Sequence, residues 1–301
     1  YLQKNVLDEA SQKRLEESCP YLQITNHPES DIEAAFVWPN FAVEERLALH
    51  PQLRWIQILS AGYDKVDMQA VNKRNLLITN ARHVNSIPIA EDVVARILYF
   101  NRDMKTYTMD QQSKAWKPQQ NAFELYHKTI GILGTGSIAV EISKRLKPFE
   151  TTVIGFRQHE GPNHHFDELY YGQDGLKTML SKSDYVIICL PLNDGTYHLL
   201  DREMLSFMKP NALLVNIARG DIVDESALID ALLSHQIRGA SLDVFHQEPL
   251  DTSSPLWSLE NVYVTPHISF SSTHFLERLT DLLIQNTERY FAEEPLMNRI
   301  K

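Results

Sequence analysis

Three polar residues in the last third of the chain have side chains suited to acid–base chemistry on a small carboxylate. They are Arg219 in VNIARGDIVDE, Glu248 in LDVFHQEPL and His267 in VTPHIS. A guanidinium can bind a carboxylate together with an adjacent carbonyl, and a histidine beside a carboxylate can donate a proton to a developing alkoxide. Glu248 would orient the ring of His267 and favour its charged form. The three residues together predict a proton-transfer site.

Each of these residues also has an ordinary structural interpretation. A histidine at a strand end is often structural, and Glu248 could be a surface residue. Arg219 could pair with Asp221 or Asp224. However, all three lie in stretches at the ends of successive predicted strands, and open α/β sheets bind ligands at that end of their strands. Their joint occurrence in this order therefore favours a catalytic site.

A glycine turn lies upstream, in GILGTGSIA. It has the pattern G-x-G-x-x-A at Gly134, Gly136 and Ala139. The first glycine permits a tight turn, the second lets the backbone approach a pyrophosphate, and the small third residue lets helix pack on strand. The helix that begins near Ser137 would offer its N–H groups to the phosphates. An ordinary strand-to-helix turn is the alternative, but the context favours a dinucleotide site.

Arg157 stands where such a site normally has an acid. It follows the second strand, TTVIGF, about 20 residues beyond the turn, at the position that contacts the adenosine ribose. An arginine can instead donate hydrogen bonds to a 2′-phosphate, and a charge-assisted contact of about 1.5–3 kcal/mol changes affinity roughly 10- to 100-fold. Arg157 could also point into solvent, and His159 could assist it or be an ordinary loop residue. We therefore predict NADP(H) as the preferred cofactor, with NAD(H) as the alternative.

The elements that must position these residues alternate between strand and helix. Buried β-rich runs occupy 129–134, 152–156, 185–192, 212–218, 240–245 and 262–268. Amphipathic helical patterns lie between them, and Asp224 is suited to cap one of these helices. Alternation with right-handed crossovers predicts an α/β fold with a doubly wound parallel sheet of the Rossmann type. We assign this cofactor domain to residues 89–273.

A smaller flavodoxin-like α/β domain is predicted from residues 1–88 and 274–301. Strands are expected at 34–38, 53–62 and 76–80, and the amphipathic segment 273–294 would return as a helix to this domain. The domain would be discontinuous and would bind the substrate, with a cleft between the two domains. The segment 105–127 has no strong period and is expected to be an extended excursion or a subunit contact.

Composition excludes several classes of protein. A net charge of −10 over 301 residues argues against a nucleic-acid or anionic-membrane surface. Cys19 and Cys189 match no disulfide framework or metal-ligand spacing, so no metal site is expected. No apolar run approaches the length of a membrane span, and the first residues are too polar for a secretory signal. We expect a cytoplasmic protein.

These motifs together resemble the D-isomer-specific 2-hydroxyacid dehydrogenase family, in particular its glyoxylate/hydroxypyruvate reductases. The resemblance runs from WIQILSAGYDKVD through GILGTGSIA and FMKPNALLVNIARGDIVDESAL to SLDVFHQEPL and VYVTPHIS. It implies reduction of a small 2-oxo acid to the D-2-hydroxy acid by hydride transfer. It also implies that Arg219 binds the substrate carboxylate and carbonyl, that His267 is the general acid/base, and that Glu248 tunes His267.

Further site residues follow from the resemblance. The backbone at Ala61 and Gly62, in SAGYD, would cradle the substrate carboxylate, although a simple strand-end turn explains that motif equally well. Asp243 would contact the nicotinamide side. A homodimer through the cofactor domains is expected. The full cofactor-binding set is Gly134, Thr135, Gly136, Ser137, Ile138, Arg157, Leu190, Pro191, Thr196, Ile217, Ala218, Arg219, Asp243 and His267.

Departures from the family pattern narrow the prediction. Most members carry Asp where Arg157 stands, which puts the usual NAD preference in question. Glu248 speaks against the formate branch, and no regulatory domain follows the return helix, which disfavours the longer phosphoglycerate enzymes. A corepressor-like dinucleotide-sensing protein is the main alternative function. A Rossmann methyltransferase is a weaker one, because Arg219 and His267 would have no role in it.

Overall fold

The computed structural model describes residues 1–27, 31–118, 122–161 and 164–300. Its backbone contacts divide the chain into two units. The first unit consists of Tyr1–Asn85 and Ser271–Lys301, and the second unit is Ser86–Phe270. The divisions fall after residues 85 and 270, three residues before the expected ones after 88 and 273.

Helices and strands alternate along most of the chain. The α-helices are α1 (Glu9–Ser18), α2 (Glu44–Leu47), α3 (Met68–Lys73), α4 (Ser86–Asn101), α5 (Met104–Ser113), α6 (Ser137–Leu146), α7 (Gly172–Lys182), α8 (Arg202–Ser206), α9 (Glu225–Leu233) and α10 (Phe275–Phe291). The strands are β1 (Ala34–Val37), β2 (Trp55–Ile58), β3 (Leu77–Thr79), β4 (Thr129–Leu133), β5 (Thr152–Phe156), β6 (Glu168–Tyr170), β7 (Tyr185–Ile188), β8 (Leu213–Asn216), β9 (Gly239–Leu242) and β10 (Val262–Val264). Short 3₁₀ helices occupy Pro39–Phe41, Lys147–Phe149, Gly220–Ile222 and Pro255–Trp257.

The second unit contains a parallel sheet with the strand order β10-β9-β8-β7-β4-β5-β6. The chain enters at β4, adds β5 and β6 on one side, and then crosses to β7 and the later strands on the other side. This reversal beside β4 is the topological switch point at which such sheets bind ligands. The predicted Rossmann architecture is confirmed.

The central strands are buried on both faces because helices cover each side of the sheet. Along β7, Val186 and Ile188 enter one hydrophobic cluster, while Tyr185 and Ile187 enter the other. This alternation follows from the two-residue period of a strand. It explains why these strands read as continuous apolar runs in the sequence.

Two details of the second unit were predicted wrongly. Four runs are too long as strands, namely 185–192, 212–218, 240–245 and 262–268. The strands end at Ile188 in β7, Asn216 in β8, Leu242 in β9 and Val264 in β10. Leu190 and Ala218 still pack on the hydrophobic core from the following loops, so hydrophobicity does not mark where the strands end. The short edge strand β6 was not predicted, because its residues are half-buried or exposed.

The segment 105–127 was expected to be an extended excursion or a subunit contact, and the extended conformation is wrong for its first part. Helix α5 covers Met104–Ser113 and has no buried residue. A helix without a buried face carries no hydrophobic period, so the sequence pattern could not reveal it. Residues 119–121 of this segment lie outside the described residues.

The first unit contains a parallel sheet in the order β1-β2-β3, and α10 packs against α1. Leu279 and Leu283 of α10 share a buried cluster with Leu15 of α1. Asn286 of α10 also donates a 2.8 Å hydrogen bond to Gln57 of β2. The predicted amphipathic return helix therefore completes the core of the unit in which the chain begins. Across the described parts of the chain, no helix is both long enough and apolar enough to span a membrane.

Candidate active site

The glycine turn after β4 has the geometry that a dinucleotide requires. Gly134 has φ of +95°, and a Cβ there would lie 2.9 Å from the carbonyl oxygen of Cys189, so a side chain is excluded. A Cβ added at Gly136 would meet no described atom within 4 Å, so the backbone faces open space. Helix α6 begins at Ser137, and no side chain of the described residues caps it. The N–H groups of Ser137 and Ile138 are thus suited to phosphate oxygens.

Arg157 directly follows β5, as predicted. Its backbone N–H donates to the carbonyl of Tyr170 at 3.2 Å. The guanidinium carbon lies 5.9 Å from the ring centroid of Tyr171, and a Cβ on Gly161 would lie 2.6 Å from Nη2. The side chain is therefore partly buried against its own loop instead of extending into solvent, whereas His159 is exposed. The positive charge of Arg157 therefore lies just beyond the end of β5, the next strand after the glycine turn.

The other predicted cofactor positions lie in loops after the neighbouring strands. Leu190 and Pro191 follow β7, where Thr196 Oγ1 donates to the Pro191 carbonyl at 2.7 Å. Ile217 and Ala218 follow β8. Since β4, β7 and β8 are parallel neighbours, these loops and the glycine turn with Thr135 come to the same edge of the sheet.

His267 and Glu248 form a direct pair. The Nδ1 atom of His267 lies 2.7 Å from Oε2 of Glu248, and 39% and 36% of the two side chains are exposed. The other carboxylate oxygen accepts the N–H of Phe245 at 3.1 Å, which fixes the glutamate against its own loop. The predicted pairing is present, with the imidazole accessible at the surface of the unit.

Arg219 lies in the loop after β8 and is partly buried. Its Nη1 donates to the carbonyl of Ala218 at 2.6 Å, and its own carbonyl accepts from Asn216 Nδ2 at 2.9 Å. At the next residue, a Cβ on Gly220 would lie 1.9 Å from the carbonyl carbon of Phe245. The Arg219 loop therefore touches the loop that carries Glu248.

A second histidine contact joins the same two loops. Nδ1 of His246 lies 2.5 Å from Oδ1 of Asp221, and this hydrogen bond and the aspartate charge raise the pKa of His246. Asp224 accepts the N–H of Ala227 and caps α9, as predicted. Both acids considered as partners of Arg219 thus have structural contacts of their own.

Asp243 is completely buried, and its carboxylate is bound by protein donors. Oδ1 accepts from Arg96, from Thr265 and from the N–H of Ile268, while Oδ2 accepts from the N–H of Ser269. Burial alone would raise the pKa of this carboxyl, but the hydrogen bonds and the nearby guanidinium outweigh it and lower the pKa. The expected contact of Asp243 with the nicotinamide stays a prediction.

Sequence reasoning missed Arg96, the buried partner of Asp243. It lies on α4 in EDVVARILYF and is 2% exposed. The available signal was an arginine within an otherwise apolar helical stretch, since a buried charge needs a buried partner.

Ala61 and Gly62 lie in the first unit, in the loop after β2. Ser60 Oγ donates to the Gly62 carbonyl at 2.7 Å, and Asn80 Nδ2 donates to the Ala61 carbonyl at 2.8 Å. The turn is thus held by side chains, and its role in binding a carboxylate stays a prediction.

Comparisons with known proteins match the chain to one family. The sequence model of the D-isomer specific 2-hydroxyacid dehydrogenase, NAD binding domain, matches residues 94–269. A glyoxylate/hydroxypyruvate reductase B of Serratia proteamaculans (strain 568) is 37% identical over 231 residues, covering 74% of this chain and 70% of the relative.

Two solved structures agree closely in fold. A D-isomer specific 2-hydroxyacid dehydrogenase family protein from Aeromonas salmonicida subsp. salmonicida A449 gives a TM-score of 0.87 at 29% identity, covering 100% of this chain and 97% of its own. A D-isomer specific 2-hydroxyacid dehydrogenase from Xanthobacter autotrophicus Py2, solved with NADPH and MES, gives a TM-score of 0.84 at 26% identity. The match covers 100% of this chain and 97% of that structure's chain.

The matched region contains the glycine turn at Gly134, the strand-end Arg157, and the set formed by Arg219, Glu248 and His267. The fold and the nicotinamide dinucleotide cofactor that were predicted from the sequence agree with this match. The chain therefore belongs to the D-isomer specific 2-hydroxyacid dehydrogenase family, and the candidate active site lies in its NAD-binding domain.

Proposed function

We propose that the protein reduces a small 2-oxo acid to the D-2-hydroxy acid. The observation that carries this proposal is the His267–Glu248 pair, with a separation of 2.7 Å, on a strand-end loop of the NAD-binding domain. A histidine held by a carboxylate is suited to give a proton to the oxygen of a carbonyl that is being reduced.

The chain's own residues would orient the substrate and move the proton. With Nδ1 of His267 against Glu248, Nε2 is the ring atom that donates a proton to the substrate oxygen. Arg219 would bind the substrate carboxylate and carbonyl through its planar fork of donors. The bound nicotinamide supplies the hydride for the carbonyl carbon. One hydride and one proton then complete the alcohol.

We propose NADPH over NADH on the basis of Arg157. Its partly buried guanidinium lies against Tyr171 and Gly161 beyond β5, where a 2′-phosphate would need a donor and an acid would repel it. The chain offers the pyrophosphate the N–H groups at the start of α6.

Glyoxylate and hydroxypyruvate are the substrates we propose first. The support is the name of the Serratia relative, a glyoxylate/hydroxypyruvate reductase B. We also propose a cytoplasmic location, because Cys19 and Cys189 are both free and a reducing compartment keeps thiols in that state.

A homodimer through the second unit completes the proposal. Large apolar side chains are exposed in and after α5, and such patches commonly mark contacts between proteins. They are Met104, Tyr107, Met109, Trp116, Phe123 and Tyr126.

The test is a panel of 2-oxo acids assayed with both nicotinamide cofactors. We expect nicotinamide absorbance to fall with glyoxylate or hydroxypyruvate, a higher kcat/KM with NADPH, and the D-enantiomer on chiral chromatography of the hydroxypyruvate product. Pyruvate, branched and aromatic 2-oxo acids complete the panel. Tight dinucleotide binding without turnover of any acid would instead indicate a dinucleotide-sensing protein, and binding of a methyl donor would indicate a methyltransferase.

A further inference from the structure

Arg96 is a cation buried inside the second unit, where an unpaired charge would be strongly destabilising. Its Nε contacts Asp92 at 2.5 Å and its Nη1 donates to Ser241 Oγ at 3.2 Å. Its Nη2 reaches two acceptors, Oδ1 of Asp243 at 3.0 Å and Oγ1 of Thr265 at 2.7 Å. One guanidinium therefore links helix α4 to the ends of β9 and β10.

The same carboxylate holds the turn that carries His267. The N–H of His267 donates to the Asp243 carbonyl at 2.9 Å. The N–H groups of Ile268 and Ser269 donate to the two oxygens of its carboxylate at 3.0 and 2.9 Å. Three successive N–H groups are thus directed at one aspartate.

This turn needs such support for two reasons. Strand β10 is at the edge of its sheet, and no other strand among the described residues pairs with its outer side. His267 also has φ of +52°, a left-handed conformation that costs energy for a residue with a Cβ and persists only when its surroundings impose it.

We propose that Arg96 is a positioning residue for the reaction, which holds the His267 turn in its productive conformation through Asp243 and Thr265. This proposal rests on the function proposed above. Arg96 contacts Asp243 and Thr265, which hold the turn that carries His267. Its expected effect is therefore on the position of the imidazole ring. The planar guanidinium suits this role because Asp92 and Ser241 hold its Nε and Nη1 while Nη2 donates to both acceptors of the turn. The single nitrogen of a lysine could not make all of these contacts in the same geometry.

The test compares Arg96→Met with Arg96→Lys in the full-length protein. For Arg96→Met we expect kcat to fall by about 10²-fold, because displacement of a catalytic group by about 1 Å can have that effect. The KM for the cofactor should change little, since the glycine turn is untouched. Arg96→Lys should recover part of the lost kcat, because it restores the charge but not the fork.

Thr265→Val provides a second variant if Arg96→Met fails to fold. This variant removes the hydroxyl, which accepts from Arg96 and donates to Asp243. It keeps the size of the side chain. We expect kcat to fall by at least roughly 5-fold, because the variant loses two hydrogen bonds of the network.

Ile97→Ala is the matched control, because Ile97 is the next residue of α4, is fully buried and lies in the hydrophobic core away from the network. It should lower Tm while kcat at 25 °C stays near wild type. Equal losses of kcat in Ile97→Ala and Arg96→Met would show a merely structural role and overturn the proposal.

Amide hydrogen exchange of residues 265–270 gives a readout that does not depend on turnover. We expect exchange at Ile268 and Ser269 to accelerate in Arg96→Met or Thr265→Val but not in Ile97→Ala. A wild-type protein inactive on the whole 2-oxo acid panel would defeat the proposed function, and with it the role of Arg96 in the reaction. The exchange data would then still decide whether Arg96 orders the turn. Unchanged exchange, or a kcat within about 2-fold of wild type in both network variants, would refute the proposal.

Discussion

At the scale of single residues, the proposed chemistry depends on the pairing of one imidazole. Glu248 holds the ring of His267 through Nδ1, which leaves Nε2 for the proposed proton transfer. General acid–base transfer by a positioned side chain contributes about 10²- to 10⁴-fold to a rate. The effect of removing this ring is therefore measurable over any background.

We expect His267→Ala to lower kcat by about 10²- to 10⁴-fold, because the proton donor is lost. Affinity for the dinucleotide should stay near wild type, since the glycine turn is unchanged. Nicotinamide absorbance measures turnover, and fluorescence titration measures cofactor binding. His274→Ala is the control, an exposed histidine of the first unit that pairs with Glu277. Near-normal turnover in His267→Ala would remove His267 from the mechanism.

Arg157→Asp should shift cofactor preference from NADPH toward NADH by roughly 10- to 100-fold, the value of one charge-assisted contact. The introduced carboxylate would repel a 2′-phosphate and accept hydrogen bonds from a ribose. The measurement is the ratio of the two kcat/KM values. Arg202→Gln, an exposed arginine that pairs with Asp230, serves as the control. An unchanged ratio in Arg157→Asp would show that Arg157 does not read the phosphate.

Candidate site residues could be selected from the sequence where their type and their position near a strand end suggest chemistry. Arg157, Glu248 and His267 were selected from the sequence because each lies at or shortly after the end of a predicted strand. Arg96 and its contact with Asp243 were not, because a hydrogen bond between residues 147 positions apart depends on how α4 packs against β9. Such a pair has no signature within either local segment.

At the scale of elements, the loops after β8 and β9 act together. They touch at Gly220 and Phe245 and are joined again by His246 and Asp221. The positions of these loops follow from parallel strands that the sequence predicted. The lengths of these loops were not predicted, because apolar loop residues such as Ala218 pack on the core and hide where the strands end.

Gly220→Ala should force these two loops apart, because its Cβ would lie 1.9 Å from the backbone of Phe245. We expect a loss of about 1–3 kcal/mol in the free energy of unfolding, as for other overpacked sites, together with a lower kcat. Urea unfolding and steady-state kinetics measure the two effects. Gly195→Ala is the control, where the nearest described atom would lie 3.4 Å away. Equal stability of the two variants would contradict the close approach of the loops.

At the scale of the whole molecule, stability should depend on pH in opposite directions at the two ends of the range. The lowered pKa of Asp243 contributes stability above the ordinary aspartate value of 3.8, and this is lost as the pH falls through the lower folded value. The raised pKa of His246 contributes stability below the ordinary value of 6.5, and this is lost as the pH rises through the higher folded value.

His246→Gln should therefore flatten the decline of unfolding free energy above pH 6.5 and leave the acid side unchanged. Urea unfolding across a pH series measures both sides. His164→Gln, an exposed histidine, should keep the wild-type profile. A decline in His246→Gln as steep as in wild type would rule out the contribution of the Asp221 contact.

Trp116→Glu tests the proposed dimer, because Trp116 is 97% exposed and a charge there would oppose burial in an interface. We expect sedimentation to give twice the chain mass for the wild type and a shift toward the single chain for the variant. Leu49→Glu, which alters an exposed leucine of the first unit, should sediment as the wild type does. A wild-type protein that sediments as a single chain would contradict the homodimer.

The return of α10 to the first unit has a consequence for synthesis on the ribosome. Residues 1–85 emerge first, but Leu279 and Leu283 of their core are made only after the 185 residues from 86 to 270. At roughly 5–20 residues per second, that interval lasts about 10–40 s. The second unit, which is continuous, has its whole core available earlier. Of the two units, the one whose translation begins earlier is thus the one whose folding is completed later.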